Sequence, residues 1–186
     1  MRTITYRTRN KSGFYWQKVI QFLMVFIRFA SHHDIPFITE LAYDIWPKTY
    51  ESILSSAQIT FMLNDMYSHE SLLRQFKNGH LFLIALKENR PVGFASFSVL
   101  DSTQRVYKIH KLYLLPAVQG KRLGKQLVNF IEDDIRLKGA EVLEVNVNRN
   151  NPALNFYLKS GFEISREVDI PYHQFVINDY VMRKKL

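Results

Sequence analysis

The chain contains no cysteine in 186 residues, which excludes disulfides, thiolate zinc sites and a cysteine nucleophile. That absence suits a reducing compartment, and a cytoplasmic location is expected. Long apolar runs are absent as well. The stretch from Phe22 to Ala30 falls short of the roughly 20 residues that a bilayer span takes, and Lys18, Gln21 and Arg28 interrupt the region around it. Basic residues precede it but no small-residue cleavage site follows, so a surface helix or loose extension is expected rather than a secretory signal. Acids are scarce beside bases, 17 Asp and Glu against 25 Lys and Arg, for a net charge of +8. The excess is local. Residues 1–23 hold Arg2, Arg7, Arg9, Lys11 and Lys18 and no acid, so five of the charges belong there and +3 remains for the rest. The charge therefore does not require a nucleic-acid partner. His32 and His33 have no metal-ligand spacing with His69, His80 or His173, and no metal is expected. No repeat or low-complexity linker divides the chain. With 47% hydrophobic residues it can fill a core without staples. The expected organisation is a basic and aromatic extension over residues 1–24, with Met24 a candidate start, and one domain over residues 25–186.

What is present is organised around residues 109–162. Residues 106–115 are rich in β-branched, aromatic and leucine side chains and stop at Pro116, which cannot extend a ladder. Gln119 to Gly124 then lead into a helix whose Leu123, Leu127, Phe130, Ile131 and Ile135 recur at three- and four-residue steps until Gly139. A strand over residues 141–147 follows, then a short helix with Asn151 as cap, Pro152 at its first position and Gly161 at its end. Ala153, Phe156, Tyr157 and Ser160 share one face of it. Ahead of this stretch, residues 25–30 read as a first strand. A helix capped by Ser31 or Asp34 carries Ile35, Ile38, Leu41, Ala42 and Ile45 and is expected to end at Pro47. Two amphipathic helices follow near 56–67 and 70–77, then strands over 81–86 and 92–100 about a turn at Asn89 and Arg90, and strands over 163–170 and 175–183 close the chain.

The free amides and dipole at the start of the long helix favour an anion, and Lys121, Arg122 and Lys125 add positive charge there. A nucleoside-triphosphate loop is excluded, because Gly120 and Gly124 enclose three residues instead of four and Gln126 follows Lys125 where Ser or Thr is needed. A dinucleotide fingerprint fails on glycine spacing. Tyr157, beside such an anion site, is a candidate proton donor to a leaving group.

These residues resemble the GNAT family of acyl-CoA N-acetyltransferases. The family's CoA motif reads Gln or Arg, two residues, Gly, one residue, Gly or Ala; Gln119, Arg122 and Gly124 occupy those places, with Arg122 standing at the first glycine. Its amide survives while its Cβ crowds the phosphate position. Asn150, Ala153, Phe156, Tyr157, Gly161 and Phe162 stand at the spacing of the family's later motif. The resemblance implies a single α/β domain: a mixed central sheet with an antiparallel meander, a parallel splayed pair at the CoA site and flanking helices. It also implies acetyl-CoA as co-substrate, no metal, and direct attack by a primary amine in a ternary complex. Lack of cysteine excludes an acetyl-cysteine route.

By the same resemblance, the backbone of Leu112, Tyr113 and Leu114 would hold the pantetheine arm, and an amide near Leu114 would polarise the thioester. The amides of Gln119, Gly120, Lys121, Arg122, Leu123, Gly124 and Lys125 would take the phosphates; Asn150 and Asn155 would approach the cofactor arm, and Tyr157 would protonate the sulfur. His110 is a candidate base by its intrinsic pKa, with Glu144, on the polar face that it shares with Asn146, and a relaying water as alternatives. Residues 46–68 and Asn178 to Met182 look similar to bacterial polyamine-type members, which favours a small amine or polyamine as acceptor. Phe61, Met62, Leu63, Met66 and Tyr67 are candidate pocket residues, against the plainer reading of core. Glu40, Asp44, Glu51, Asp65 and Asp101 are candidate contacts for a cation, against a solvated surface. Acetylation of proteins or peptides and a non-catalytic CoA-sensing module are the rival readings. The expected partners are acetyl-CoA and the amine, without nucleic acid or membrane, and an unpaired sheet edge would permit a homodimer.

Overall fold

A computed structural model describes residues 25–186. The extension expected over residues 1–24 lies outside the described residues. The chain enters the fold through a charge pair: Arg28 donates to both carboxylate oxygens of Asp34, at 2.7 and 2.9 Å. Ser31 and Asp34 cap each other's backbone and turn strand β1 (Val25–Phe29) through a short 3-10 turn into helix α1 (Ile35–Tyr50).

Pro47 was expected to end this helix, and it does not: α1 runs three residues past it. Proline removes one amide, so only the carbonyl of Tyr43 loses its partner. Tyr43 and Pro47 both face solvent, where water can serve that carbonyl, while Ile45 and Trp46 are buried on the opposite side at 1% and 3% exposure. Burial of the apolar face outweighs the one lost bond. Helices α2 (Ser56–Tyr67) and α3 (His69–Lys77) follow, each capped by a serine hydroxyl, Ser55 and Ser68.

Strands β2 (Leu81–Lys87), β3 (Arg90–Asp101) and β4 (Val106–Leu114) form an antiparallel meander. The hairpin between β2 and β3 turns on Glu88 and Asn89, both with positive φ, one residue earlier than expected. Helix α4 (Leu123–Leu137) then crosses to strand β5 (Val142–Asn148), which is parallel to β4; helix α5 (Ala153–Lys159) and the hairpin of β6 (Glu163–Tyr172) with β7 (Phe175–Lys185) complete the domain. The seven-stranded sheet has the order β1-β2-β3-β4-β5-β7-β6, which makes β1 and β6 its edges. No helix among the described residues is long and apolar enough to cross a membrane.

Central strands are apolar on both faces because both are covered. Leu83, Ala95, Phe97 and Val145 pack under α4 with Leu127 and Ile131. Phe82 and Phe94 point the other way, into a second cluster with Ile38, Trp46, Met62 and Tyr67 of α1 and α2.

The site depends on one irregularity. Ser96 pairs with Lys111 but Phe97 pairs with Ile109, so His110 is an extra residue in β4. Such a bulge reverses which face each later residue takes. Ile109 lies on the α4 side; past the bulge Leu112 and Leu114 take that side, and Tyr113 joins the α1–α2 cluster. The β4–β5 ladder also stops there, its last pair being Ile109 with Val145. From that point the two parallel strands diverge, and their facing backbone groups are free of each other.

Candidate active site

A cavity of about 1080 Å³ fills the divergence and reaches both layers of helices. At one end lies the turn before α4. Gly120 has φ 74° and Arg122 has φ 62°, a left-handed geometry that leaves the first amides of α4 uncovered. Gln119, Gly120, Arg122, Leu123, Gly124 and Lys125 all line the cavity. Lys121 does not: its ammonium turns back to donate to the Ala117 carbonyl at 2.9 Å. The Gln119 side chain is likewise engaged, donating to the Leu114 carbonyl at 2.9 Å and tying the turn to the end of β4. At Gly124 an added Cβ would come within 3.2 Å of the Phe156 ring, so this glycine lets α4 approach α5.

In the middle, Leu112, Tyr113 and Leu114 face Asn151, Asn155 and Tyr157 across the gap. The expected Asn150 is displaced by its neighbour. The Asn148 side chain accepts from the Asn150 amide at 3.0 Å and leaves Asn150 exposed, while buried Asn151 accepts from Ala153 at 2.9 Å and lines the cavity. Tyr157 is 6% exposed, and its phenol lies well above the usual tyrosine range because burial penalises phenolate. It keeps its proton throughout the neutral range. Tyr50 accompanies it, 3.1 Å from the Tyr113 hydroxyl and beside Asn151 and Asp179.

The far end is formed by α1, α2, β4 and β7. Met62, Met66 and Tyr67 line it, as expected. Phe61 and Leu63 do not: Phe61 packs on Tyr172, His173 and Phe175, and Leu63 is core. A helix buries only part of its surface in a cavity, and residue spacing did not say which part. The five acids expected to meet a cation also lie elsewhere. Asp44 pairs with Lys48, Asp65 accepts from the Tyr172 hydroxyl, Asp101 holds Thr103 and Gln104, and Glu40 and Glu51 are exposed. Among the described residues the carboxylate lining the cavity is Asp179, 7% exposed and raised by burial. Beside it, Asn146 Oδ1 is buried without a partner.

His110 is a poor base in this setting. Its Nε2 lies 2.8 Å from the Ser98 hydroxyl, its ring stacks on His80 at 4.3 Å, and burial with the nearby charges of His80, Lys111 and Lys108 drops its pKa to about 3. It stays neutral and accepts a proton weakly. Glu144 is excluded by its partners, being 2% exposed and clamped by Lys108 at 3.3 Å and Arg183 at 2.9 Å outside the cavity. Lys111, Asn146, Trp46 and Tyr50 also line the cavity, and none of them was singled out from the sequence as a site residue. Trp46 and Tyr50 follow the buried Ala42 at helical steps, a signal that was present; Lys111 is carried inward by the bulge, for which there was none.

No group of three or more potential metal ligands is assembled among the described residues. The acetyltransferase (GNAT) family model matches residues 37–162. Spermidine N(1)-acetyltransferase of Thermoplasma acidophilum is 28% identical over 165 residues, covering 86% of this chain and 96% of that protein. The aminoalkylphosphonate N-acetyltransferase of Salmonella typhimurium is 31% identical over 88 residues, 45% of this chain and 57% of that one. Among solved structures, the PaiA N-acetyltransferase from Thermoplasma acidophilum in complex with coenzyme A has a TM-score of 0.75 at 28% identity, covering 88% of this chain and 100% of that one.

Proposed function

We propose, from the premise that this chain belongs to the acetyltransferase (GNAT) family, that it acetylates the primary amine of a small molecule by direct attack in a ternary complex. It is an acetyl-CoA-dependent N-acetyltransferase; the choice of acceptor and the roles of single residues are our reading. The observation that carries it is a protonated, buried phenol at Tyr157 in the same cavity as the uncovered amides that begin at Gly120, the Gln119 amide being engaged by the Pro116 carbonyl at 3.2 Å. Acetyl-CoA supplies the acetyl group as a thioester. The amides from Gly120 to Lys125 with the Arg122 and Lys125 side chains receive its phosphates. Backbone groups of Leu112 to Leu114 hold the arm and polarise the carbonyl. Tyr157 gives its proton to the sulfur as the carbon–sulfur bond breaks, and Asp179 takes the proton of the attacking amine through water. A small amine suits a cavity of about 1080 Å³ lined by Trp46, Tyr50, Met62 and Tyr67. The relatives named for spermidine and aminoalkylphosphonate define the reference acceptors.

The test pairs thermal unfolding with thiol release. Acetyl-CoA should raise the melting temperature, since a ligand of the native state stabilises it by mass action. Thiol release with an amine panel should fall by about 10²- to 10⁴-fold in kcat for Tyr157→Phe. Stabilisation without release from any amine would leave the sensing module as the better reading, and no stabilisation at all would remove both.

A further inference from the structure

The acceptor end of the cavity holds a charge that no protein group balances. Lys111 is 9% exposed and lines the cavity, with its ammonium 5.3 Å above the centre of the Tyr67 ring. It makes no ion pair among the described residues, although nearby Lys108 is paired with Glu144. The titratable neighbours that sense its charge are His80 and His110, both shifted toward the neutral imidazole. Burial lowers Lys111 to about 8 without removing its charge at neutral pH. A buried, unpaired ammonium is costly to hold, and a ring face offsets the cost only partly. An anion entering from the cavity would complete the pairing.

The negative group of the cavity, Asp179, lies across β5 from Lys111, on β7. Asp179 and the unpartnered Oδ1 of Asn146 accompany Tyr50, whose own surroundings include Asn151. Asn151 accepts from the first amide of the helix that carries Tyr157, so this end is the one beside the proposed sulfur acid. Two unlike ends, an acid with a free acceptor oxygen and a lone ammonium, match a molecule that is itself dipolar.

We propose that the acceptor is an amine carrying an anionic group, a carboxylate or a phosphonate, with its nitrogen toward Asp179 and Asn146 and its anion on Lys111. This rests on the transferase reading and specifies the substrate class of that same site. A polyamine lacks the anion and would bring a further cation toward Lys111, which like-charge repulsion disfavours.

The experiment compares acceptors with acetyl-CoA by the group that each carries beyond its reacting amine: anionic in 2-aminoethylphosphonate and β-alanine, neutral in ethanolamine, cationic in 1,3-diaminopropane and the longer spermidine. The expected result is a kcat/KM for at least one anionic amine about tenfold or more above ethanolamine, carried by KM, with the two anionic arms deciding between phosphonate and carboxylate. In Lys111→Met the ratio of anionic to neutral acceptor should fall by about 10- to 100-fold, the range for losing a charge-assisted contact, and Lys111→Arg should restore part of it. The acetyl-CoA melting shift of each variant reports folding and the cofactor end separately. Preference of the wild type for spermidine or the diamine would overturn the proposal while leaving the transferase intact. An equal loss on all acceptors in Lys111→Met would also overturn it, marking Lys111 as structural. Absence of thiol release with every amine, despite an acetyl-CoA shift, would remove the transfer reading and this inference together.

Discussion

At Arg122 the backbone adopts φ 62° and ψ 5°, which costs a residue with a Cβ about 1–2 kcal/mol and glycine almost nothing. The family motif places glycine there, and here the left-handed geometry is retained together with a guanidinium at the proposed phosphate end. Arg122→Gly should therefore raise stability by about 0.5–1 kcal/mol in urea titrations, less than the full strain because glycine also gains freedom in the unfolded chain. Arg122→Ala, which keeps the Cβ, should show no such gain. Tyr157 carries the opposite expectation: as the proposed proton donor to the sulfur, its hydroxyl serves turnover, so Tyr157→Phe should cost turnover while the melting temperature stays near that of the wild type. Since burial keeps the phenol protonated, the pH profile of kcat should show no alkaline loss from Tyr157 below about pH 10. Tyr157 lines the cavity, whereas Asn150 is exposed and its neighbour Asn151 lines it instead. The hydrogen bond from the Asn150 amide to Asn148 decides which asparagine turns inward, and spacing holds no record of it.

Strand β4 is the element on which the cavity is built. Its end passes close to Gly93 of β3, where an added Cβ would lie 2.3 Å from Leu114 Cδ2 and 2.6 Å from the Tyr113 carbonyl oxygen. A side-chain methyl can be displaced, but the carbonyl belongs to the strand itself. Gly93→Ala should destabilise the domain by about 1–3 kcal/mol, as overpacking generally does, and reduce the melting shift given by acetyl-CoA because Tyr113 and Leu114 line the cavity. An unchanged acetyl-CoA shift would mean that the end of β4 is more tolerant than its packing implies. The strand was legible from its composition and from Pro116. The resemblance implies a bulge in this strand, but its position at His110 was not legible, because it is set by the register of β3 against β4, a relation between distant stretches. Helix α1 teaches the same lesson in reverse: Pro47 is a local stop signal, overridden because the face it disturbs is solvent-exposed.

For the molecule as a whole, acid stability follows from groups buried in a fixed protonation state. His80 and His110 are shifted down by burial and nearby positive charge, His110 to about 3 from the ordinary 6.5, so below pH 6.5 the unfolded chain binds protons that the folded one refuses. Stability is then complete above pH 6.5 and declines as pH falls toward 3, by up to about 1.4 kcal/mol per pH unit for His110, with His80 acting in the same direction. Asp34 adds a lower window: Arg28 holds its carboxyl at about 2 against 3.8, so its contribution is present above pH 3.8 and is lost as pH drops toward 2. Urea titrations between pH 7 and pH 4 should show the slope, and His110→Gln, which keeps a partner for Ser98, should flatten it by about one proton's worth. An unaltered slope would show that His110 titrates normally in the folded state.

By itself the sequence determined the order and type of the elements, the turn that bares the start of α4, and the capped helix that carries Tyr157. These are local matters, set by apolar periodicity, capping residues and glycines within a few positions of each other. Only the tertiary structure decided where the parallel pair parts, which face each residue of β4 takes beyond its bulge, and which charges share the cavity. Lys111 and Asp179 are 68 positions apart in the chain and line one cavity because β4 and β7 flank the same splayed strand, β5. Pairing register and burial join them, and both are properties of the packed sheet.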